Sequence, residues 1–576
     1  MVQRKILSDI FSKRSRLVTA FFLLFFVLII WRLFSLQILG GKNTRQLAEN
    51  QHSVYQKLLP IRGEIKIIDQ ANEETFTVAT NIKKYLVYAV PQEIQNPKIV
   101  AESLSPVLGL EAKEVLEKLS RTDRKYVPVK KQLTDQEQQK IKELELPGIY
   151  LDEEGARFYP EKSLLSQVIG FVGFKDDKKE GLYGLERYFE KELAGKEGEL
   201  KEEKGGTGAW IFGTEREMVP AEDGATLVLT IDKTIQFKAE SLLKATVEKN
   251  GADSGSVIVV NPKTGSVLAM ANFPDFNLNE YNKVEKQEFF LNEAVIGNYE
   301  PGSVFKPITM AAAINEGKVA PDTTYTDSGQ VVIGDHTIKN SDGKAYGLQT
   351  MTQVLEKSLN TGAIFAKEQI GNQIFFEYIK KFGFGKITGI ELPEAKGNLD
   401  NLKANIQVNF HTASFGQGIS MTPVQLVQAF TAIANGGKMM QPFIVGSKIL
   451  PDGRSINTTA KVAEEVISDK TANIVAAMMV NVVENGHGKR AAVSGYYIAG
   501  KTGTAQVPKK DGKGYEEDNN IGSFIGFGPV EDPKFLALVR IDHPRTVKFA
   551  ESTAAPAFGE LAQFILNYYQ IPPTRK

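Results

Sequence analysis

An apolar run at residues 17–31, behind a basic stretch, constrains the fold of this chain more than any other feature. The first sixteen residues hold five basic side chains and a single acid, Asp9. Continued to Leu39, the run makes a helix of roughly 34 Å, enough to cross a hydrocarbon core of about 30 Å. The sequence Trp31-Arg32-Leu33-Phe34 offers no small-residue cleavage site, which favours an uncleaved anchor over a signal peptide or a buried core helix.

The placement of charge predicts the orientation of this anchor. The basic residues before the span outnumber Lys42 and Arg45 after it, so the positive-inside rule places residues 1–16 in the cytoplasm. Residues 17–39 are the predicted transmembrane helix. We therefore expect a single-pass protein of the cytoplasmic membrane whose main body lies outside the cytoplasm.

The exported part changes character near residue 222. Residues 40–222 carry charge runs and short alternating elements, which predicts an elongated α+β pedestal. Residues 223–576 contain longer elements, with strands at both ends and helices between them. That order predicts a central antiparallel sheet flanked by helices, so the expected fold class is α+β with one N-terminal transmembrane helix.

The predicted elements follow from hydrophobic periodicity and turn residues. The strands are predicted at residues 85–90, 168–172, 227–231, 256–260, 266–270, 497–507, 523–528 and 535–541. The helices are predicted at residues 135–145, 185–193, 308–314 and 560–569, and after Asp232, which is a plausible N-cap.

Composition excludes several classes of function. The 69 basic and 69 acidic residues give a net charge of zero, so no field of the whole chain attracts nucleic acid. Cysteine is absent and only five scattered histidines are present, which excludes thiol catalysis and makes a zinc site improbable. We therefore expect no nucleic-acid partner, no metal ion and no cofactor.

Three short motifs recur along the chain, and each is close to chance when taken singly. Ser-x-x-Lys begins at Ser241, Ser303 and Ser341, Ser-x-Asn at Ser358 and Ser455, and Lys-Thr-Gly at Lys263 and Lys501. Ser241 lies in the middle of a predicted helix and Ser341 among turn formers, so both are interpreted as structural. Lys263 and Ser455 are interpreted as parts of turns.

Ser303 has the context of a nucleophile. It follows Pro301-Gly302 and opens an apolar helix, which places Lys306 one turn further along the same side. A serine hydroxyl needs a base, and a neutral lysine can serve if burial and a neighbouring cation lower its pKa. Pro307 lacks the N–H that would bond the carbonyl of Ser303, so the helix start is predicted to be loosened.

Two further motifs can line the same cleft. Ser358-Leu-Asn360 opens a helical stretch that reaches Ile370, and it can add a hydroxyl and an amide. Lys501-Thr-Gly-Thr504 runs into a predicted strand, where Gly500 and Gly503 let a ligand backbone approach closely. Its lysine is expected to supply a fixed positive charge and its threonines hydroxyl donors, which together suit a carboxylate.

The motifs at Ser303, Ser358 and Lys501, taken in order, resemble the active-site signature of penicillin-binding proteins and serine β-lactamases. Four flanking segments look like class B penicillin-binding proteins: Glu300-Pro-Gly-Ser-Val-Phe-Lys306, Phe415-Gly-Gln-Gly418, Ser523-Phe-Ile-Gly-Phe527 and Leu229-Thr-Ile-Asp232. The resemblance covers residues 225–570, and it implies a dimerisation-type pedestal before a transpeptidase domain.

The pedestal resembles the same family less closely. The segments Arg62-Gly-Glu-Ile65, Tyr159-Pro160 and Gly184-Leu-Glu186 fit the family pattern. Where the family carries Asp-Arg-Asn-Gly, this chain has Ile68-Asp-Gln-Ala-Asn72. The packing of that hairpin is therefore left open by the sequence.

The resemblance implies a serine-type peptidoglycan D,D-transpeptidase that needs no cofactor. Ser303 would attack the penultimate D-alanine carbonyl of a stem peptide, and Lys306 would take the proton. Ser358 would relay that proton to the leaving D-alanine, and Asn360 would position Lys306 and the substrate amide. The acyl-enzyme would then pass to an amine on a neighbouring strand.

The same resemblance implies how the substrate is held. The backbone N–H groups of Ser303 and Thr504 would bind the oxyanion. Lys501, Thr502 and Thr504, in the strand that carries Gly503, would bind the terminal carboxylate. β-Lactams would trap Ser303 as a covalent adduct.

The implied partners are an acceptor strand of peptidoglycan, a membrane-embedded glycosyltransferase and division proteins. A glycosyltransferase domain would carry a Glu-Asp pair with a nearby histidine, and His52 is the only histidine before His336. Residues 40–222 are therefore interpreted as non-catalytic, and a partner enzyme is expected to polymerise the strands.

Three segments look more like the septal branch or its sporulation relatives than the elongation branch: Phe382-Gly-Phe-Gly385, Thr388-Gly-Ile-Glu391 and Ala554-Ala-Pro-Ala-Phe558.

Two alternative classes of function remain after these motifs. The first is a serine enzyme that hydrolyses β-lactams or acts as a D,D-carboxypeptidase. A β-lactamase is suggested by Glu394, at the spacing where class A β-lactamases keep a water-activating glutamate, but Glu394 lies within a segment that the septal branch also shows. A non-catalytic β-lactam sensor or division scaffold is the other, although a sensor needs more than one span and sixteen cytoplasmic residues. The loop at residues 509–520 is interpreted as either a gate to the cleft or a solvated hairpin tip.

Overall fold

The computed structural model describes residues 2–39, 53–72, 74–176, 178–203, 217–509, 514–547 and 549–575. The chain forms two compact units. The first consists of Met1–Ile61 and Gly195–Asp223, and the second of Arg62–Ala194 and Gly224–Lys576.

The described helices and strands are numbered separately in chain order. The helices are α1 Val2–Phe34, α2 Pro97–Leu108, α3 Ala112–Leu119, α4 Asp135–Leu144, α5 Ser166–Ile169, α6 Gly184–Tyr188, α7 Glu190–Ala194, α8 Lys233–Asn250, α9 Glu293–Ile296, α10 Lys306–Asn315, α11 Met351–Glu356, α12 Asn360–Lys381, α13 Asp400–Lys403, α14 Gln407–Ala413, α15 Pro423–Ala434, α16 Asp469–Asn485 and α17 Ala554–Tyr568. The strands are β1 Ser53–Leu58, β2 Ile65–Asp69, β3 Glu74–Ala89, β4 Val127–Leu133, β5 Ile149–Phe158, β6 Val172–Lys175, β7 Lys178–Gly181, β8 Gly198–Glu203, β9 Glu217–Val219, β10 Thr226–Asp232, β11 Ser254–Val260, β12 Val267–Phe273, β13 Thr324–Asp327, β14 Gln330–Ile333, β15 His336–Lys339, β16 Gly347–Thr350, β17 Lys438–Met440, β18 Val445–Ile449, β19 Ser455–Asn457, β20 Val462–Glu465, β21 Ala499–Pro508, β22 Tyr515–Gly528 and β23 Phe535–Asp542.

The first unit contains the apolar helix and a small sheet. Within the described residues, Ser15–Phe34 is the one helical stretch long and apolar enough to cross a membrane. Its large apolar side chains are exposed, as a lipid-facing helix requires. Helix α1 begins at Val2, so the residues predicted as a cytoplasmic tail are helical too. Strands β1, β8 and β9 form the three-stranded sheet of this unit.

A seven-stranded sheet forms one part of the second unit, in the order β19-β18-β10-β2-β3-β4, with β5 also paired to β3. Strands β2 and β10 are parallel, so Ile65 pairs with Leu227. Helices α2, α3 and α4 bury apolar side chains against β3, β4 and β5. The sheet therefore joins strands from both sides of the boundary expected at residue 222.

A buried ionic cluster ties together the pedestal segments that the sequence singled out. Glu186 is fully buried and accepts from Arg62 Nε at 2.7 Å and from Arg157 Nε at 2.6 Å. Arg62 Nη2 also donates to Glu190 at 2.7 Å. Charges taken out of water are tolerated when they are paired with an opposite charge. Both guanidinium groups meet that condition through Glu186, although Arg157 Nη2 has no hydrogen-bond partner among the described residues. The cluster joins the segment before β2 to β5 and α6.

The hairpin that departs from the family pattern packs against the C-terminal helix. The hydroxyl of Tyr568 in α17 donates to Asp69 at 2.8 Å and to Asp232 Oδ2 at 3.0 Å. The same Asp232 oxygen accepts the N–H of Gln70 at 3.0 Å. The other oxygen of Asp232 caps α8, as the sequence predicts, by accepting the N–H groups of residues 234 and 235 at 2.9 Å.

A five-stranded antiparallel sheet forms the centre of the second unit, in the order β12-β11-β23-β22-β21. Helices α8 and α17 cover one face, where Leu243, Phe524 and Phe558 are buried together. Helices α10, α15 and α16 cover the other face. The expected α+β sheet flanked by helices is therefore confirmed.

Two local predictions are wrong. Residues 168–172 do not form a strand, because a helical turn at Ser166–Ile169 ends at Gly170, whose φ of 70° starts a new direction before β6. Residues Ser455–Asn457 are not a turn but the short strand β19, which pairs with β18. In both places, pairing or turning is decided by distant segments rather than by local sequence.

Candidate active site

The turn that carries Ser303 is built as the sequence predicts. Residues Gly302–Phe305 form one turn of 3₁₀ helix, and α10 begins at Lys306. The N–H of Lys306 donates to the carbonyl of Ser303, a bond that Pro307 cannot make. The loosened helix start is confirmed, and it leaves Ser303 half-buried ahead of a fully buried helix.

Ser358 lies between the two lysines of the other motifs. Lys306 Nζ donates to the Ser358 carbonyl at 2.5 Å and lies 3.2 Å from its hydroxyl. Lys501 Nζ donates to the same hydroxyl at 3.0 Å. Ser358 itself has φ of 57°, a left-handed conformation that non-glycine residues adopt rarely. The structure thus brings Lys306, Ser358 and Lys501 together.

Burial sets the charge states of these lysines. Lys306 and Lys501 are essentially inaccessible to solvent. Burial, and then the charge of Lys501, holds the pKa of Lys306 well below its ordinary value. Burial alone lowers the pKa of Lys501 to about 7. A neutral Lys306 can act as a base. The positive charge expected on Lys501 is not fixed near neutral pH by the protein alone, and a neighbouring anion would be needed to raise its pKa again.

The Lys-Thr-Gly segment lies in β21, at the edge of the five-stranded sheet. A side chain at Gly503 would approach the carbonyl of Pro301 and Val304 Cγ1 to 2.9 Å, so this strand lies directly against the Ser303 turn. Among the described residues no strand pairs with the outer edge of β21. A free edge strand can bind an extended peptide through its backbone groups.

Two predicted site residues have other contacts in this structure. The amide nitrogen of Asn360 donates to the carbonyl of Lys339 at 2.9 Å, and Lys306 is not among its partners in the described part of the chain. The hydroxyl of Thr504 accepts the N–H of Ala550 at 3.2 Å, which leaves its proton free to donate. Thr502 lies beside Lys501, with its hydroxyl 3.5 Å from Nζ.

The competing motifs are structural. Ser241 donates to the carbonyl of Lys238 within α8, although it also lines a cavity of about 530 Å³. Lys263 lies in the turn between β11 and β12, as predicted, and its side chain donates to Asp532. Glu394 accepts from the hydroxyl and N–H of Thr388 at 2.8 Å each and from the N–H of Gly389 at 2.7 Å. Those three bonds tie Glu394 to its own loop.

A bridge near Ser303 was not predicted from the sequence. Glu300 accepts the N–H of Gly418 at 3.0 Å and the hydroxyl of Tyr515 at 3.0 Å, and burial raises the pKa of its carboxyl. Gln417 donates to Gln506 at 3.4 Å nearby. Residues 515–520 of the predicted loop belong to β22, whereas residues 510–513 lie outside the described residues. These partners are more than a hundred positions apart from Glu300, so no sequence signal could have paired them.

Comparisons with known proteins agree with this geometry. Residues 255–563 match the model of the penicillin-binding protein transpeptidase domain, and residues 57–229 match that of the penicillin-binding protein dimerisation domain. The chain is 34% identical to stage V sporulation protein D of Bacillus subtilis, over 98% of this chain and 87% of that protein. It is 29% identical to the peptidoglycan D,D-transpeptidase FtsI of Buchnera aphidicola, over 96% and 94%.

A solved structure extends the likeness to the fold. Penicillin-binding protein 3 of Mycobacterium tuberculosis, complexed with aztreonam, is 26% identical and has a TM-score of 0.69. The likeness covers 90% of this chain and 99% of that one. Together with the motif order at Ser303, Ser358 and Lys501, these findings show that the chain belongs to the class B penicillin-binding proteins.

Proposed function

We propose that this protein is a peptidoglycan D,D-transpeptidase that works through an acyl-enzyme on Ser303. The observation that carries the proposal is the Ser358 hydroxyl, held between two buried lysines. Lys306 is three residues after the half-buried Ser303, and Lys501 lies in β21, the edge strand of the described sheet. The Buchnera relative is named for this activity, and the matched domain is a transpeptidase domain. A nucleophile, a base, a proton relay and a peptide-binding edge are the groups that acyl transfer needs.

In the first half-reaction, the Ser303 oxygen attacks the carbonyl carbon of the penultimate D-alanine. Its proton passes to neutral Lys306, and the developing oxyanion is held by the N–H groups of Ser303 and Thr504. The C–N bond then breaks, and Ser358 passes the proton to the departing amine of the terminal D-alanine. The contact of Lys306 with Ser358 supports this route.

In the second half-reaction, an amine of the acceptor strand attacks the ester of Ser303. A proton returns along the same path, and the new amide links two stem peptides. The terminal carboxylate of the donor peptide binds Lys501, Thr502 and Thr504 during acylation. That carboxylate keeps Lys501 charged, because a neighbouring anion raises the pKa that burial has lowered.

The test is the intact mass of the full chain in detergent after incubation with benzylpenicillin. We expect a one-to-one adduct, located on Ser303 by peptide mapping and stable through a time course. An adduct that disappears while hydrolysed penicillin accumulates would instead support a β-lactamase. Failure to form any adduct would contradict the proposal and favour a scaffold.

The pH dependence of acylation follows from the two lysines. Acylation needs neutral Lys306 and charged Lys501, so its second-order rate constant is expected to rise as Lys306 loses its proton. It is expected to fall again as pH rises through the pKa of Lys501, about 7 in the free protein. Lys501→Arg keeps the positive charge across this pH range, so the acylation rate of this variant is not expected to fall at alkaline pH. A wild-type rate that climbs steadily to pH values near the ordinary lysine pKa would contradict this assignment.

We propose further that α1 anchors the protein in the cytoplasmic membrane with its N-terminus inside. The basic residues before the span support this orientation. A membrane-embedded glycosyltransferase supplies the strands, and division proteins recruit the complex. The segments at residues 382–391 and 554–558 support the septal branch or its sporulation relatives, and the Bacillus relative is named as a sporulation protein. Accessibility of an introduced cysteine in residues 223–576 to an impermeant reagent in whole cells tests the orientation.

A further inference from the structure

A buried polar cluster lies behind the Ser358 motif and takes no part in the steps above. It consists of Asp327 at the end of β13, Asn340 after β15 and Thr361 in the first turn of α12. Their exposed fractions are 2%, 4% and 4%. Buried polar side chains are retained only where their hydrogen bonds are satisfied, so the partners of each one define its role.

Asp327 is the centre of this cluster. Its Oδ1 accepts from Thr361 Oγ1 at 2.7 Å and from the N–H of Gly329 at 2.9 Å. Its Oδ2 accepts from Asn340 Nδ2 at 3.0 Å and from the N–H of Tyr346 at 2.9 Å. Both oxygens are therefore occupied by donors from three separate segments, and the carboxylate is fixed in place.

Asn340 transmits this placement to α12. Its amide nitrogen is committed to Asp327, because a carboxylate can only accept, and its oxygen therefore faces the helix start. That oxygen accepts the N–H of Asn360 at 2.9 Å and of Thr361 at 3.3 Å. Leu359, the residue before α12, provides no side-chain cap. Asn340 thus satisfies two of the free N–H groups at the start of this helix, from 20 residues away.

The start of α12 decides where the Ser358 hydroxyl lies. Ser358 is two residues before the helix and has a positive φ, which the surrounding structure must hold in place. Its hydroxyl is 3.2 Å from Lys306 Nζ and 3.0 Å from Lys501 Nζ. A shift of the helix start would change both distances at once.

We propose that Asp327, Asn340 and Thr361 are positioning residues for the transfer reaction, which fix the start of α12 and thereby hold the Ser358 hydroxyl between Lys306 and Lys501. The proposal rests on the acyl-enzyme function of Ser303 argued above. None of the three touches the reacting atoms, and their effect passes through Ser358.

The first test compares two substitutions of Thr361 in the full chain. Thr361→Val keeps the shape but removes the hydroxyl that bonds Asp327, whereas Thr361→Ser keeps the hydroxyl. We expect Thr361→Val to lower the rate of benzylpenicillin acylation by up to about 10²-fold, the cost of misplacing a reacting group by about 1 Å. Thr361→Ser is expected to restore most of the rate. Equal rates for the two variants, fast or slow, would overturn the proposal.

The second test is the pH dependence of Asn340→Asp. Asp327 is the charged side chain that contacts position 340 among the described residues, and Lys344 contributes only its carbonyl. Two adjacent buried carboxyl groups raise the pKa of one of them, and the shared proton then replaces the lost amide donor. The ratio of variant to wild-type acylation rates is therefore expected to be highest in acid and to fall as pH rises. Lys306 and Lys501 titrate in both proteins and largely cancel in the ratio.

Asn250→Asp is the matched control for the second test. Asn250 is also buried, and it bonds Thr246 and Thr546 at the C-terminal end of α8. Its ratio to wild type is expected to stay flat with pH. A flat ratio for Asn340→Asp as well would overturn the positioning role. Wild-type protein in the same series separates the two claims, because a wild type without an adduct refutes the proposed function itself.

Discussion

Ser303→Ala is expected to abolish the covalent adduct with benzylpenicillin, a loss of about 10⁴-fold or more in the rate of acylation. Ser303 is the proposed nucleophile, and alanine leaves no oxygen to attack the lactam carbonyl. Its side chain is small and only half-buried, so the substitution is expected to cost little stability. Intact mass spectrometry measures the adduct, and the melting temperature verifies the fold.

Ser241→Ala is the matched control for that experiment. Ser241 begins another Ser-x-x-Lys motif and even lines a cavity, but its hydroxyl is bonded within α8. We expect this variant to acylate at the wild-type rate. Loss of the adduct in Ser241→Ala, or its survival in Ser303→Ala, would refute the assignment of the nucleophile.

Glu186→Gln is expected to lower the free energy of unfolding by about 3–5 kcal/mol, the usual cost of removing one partner from a buried ion pair. The substitution leaves the buried guanidinium of Arg157 without its ion-pair partner and leaves Arg62 paired with Glu190 alone. Because the cluster ties the segment before β2 to β5 and α6, the loss is expected across the pedestal sheet. Denaturant unfolding of the full chain in detergent, followed by circular dichroism, measures the change.

Glu190→Gln separates burial from charge in the same cluster. Glu190 pairs with Arg62 at the same distance of 2.7 Å, but its side chain is 29% exposed. Partly solvated pairs contribute little, so we expect a loss of about 1 kcal/mol or less. Comparable losses in Glu186→Gln and Glu190→Gln would show that burial does not set the energetics of this cluster.

Much of the fold could be predicted because its elements carry local signals. The cap at Asp232 and the strand periodicity before it fixed the start of α8. The wrong predictions at residues 168–172 and 455–457 share one cause: the contact that decides each local structure comes from a segment distant in the sequence. The turn at Ser166–Ile169 ends at Gly170. This position has to be glycine, because a Cβ there would lie 1.9 Å from the carbonyl oxygen of Tyr183. Strand β19 exists only because β18 pairs with it.

The same distinction applies to the site. Motif order and flanking residues predicted that Ser303, Ser358 and Lys501 share a cleft, and the structure brings Lys306, Ser358 and Lys501 into contact. The lowered pKa of Lys501 was not foreseen, because complete burial of one side chain is a property of the folded chain. The cap that Asn340 gives to α12 was missed for the same reason, since local rules look for a cap at the preceding residue.

Acyl transfer to an amine distinguishes a transpeptidase from a hydrolase, and cross-linking tests it most directly. The full chain, in membranes with a glycosyltransferase and a lipid-linked pentapeptide disaccharide, is digested with muramidase, and the fragments are analysed by mass spectrometry. We predict dimeric muropeptides joined by a new amide, with one D-alanine released per link, and none of these with Ser303→Ala. Release of D-alanine with only monomeric tetrapeptides would show transfer to water, and would contradict the claim that this protein is a transpeptidase.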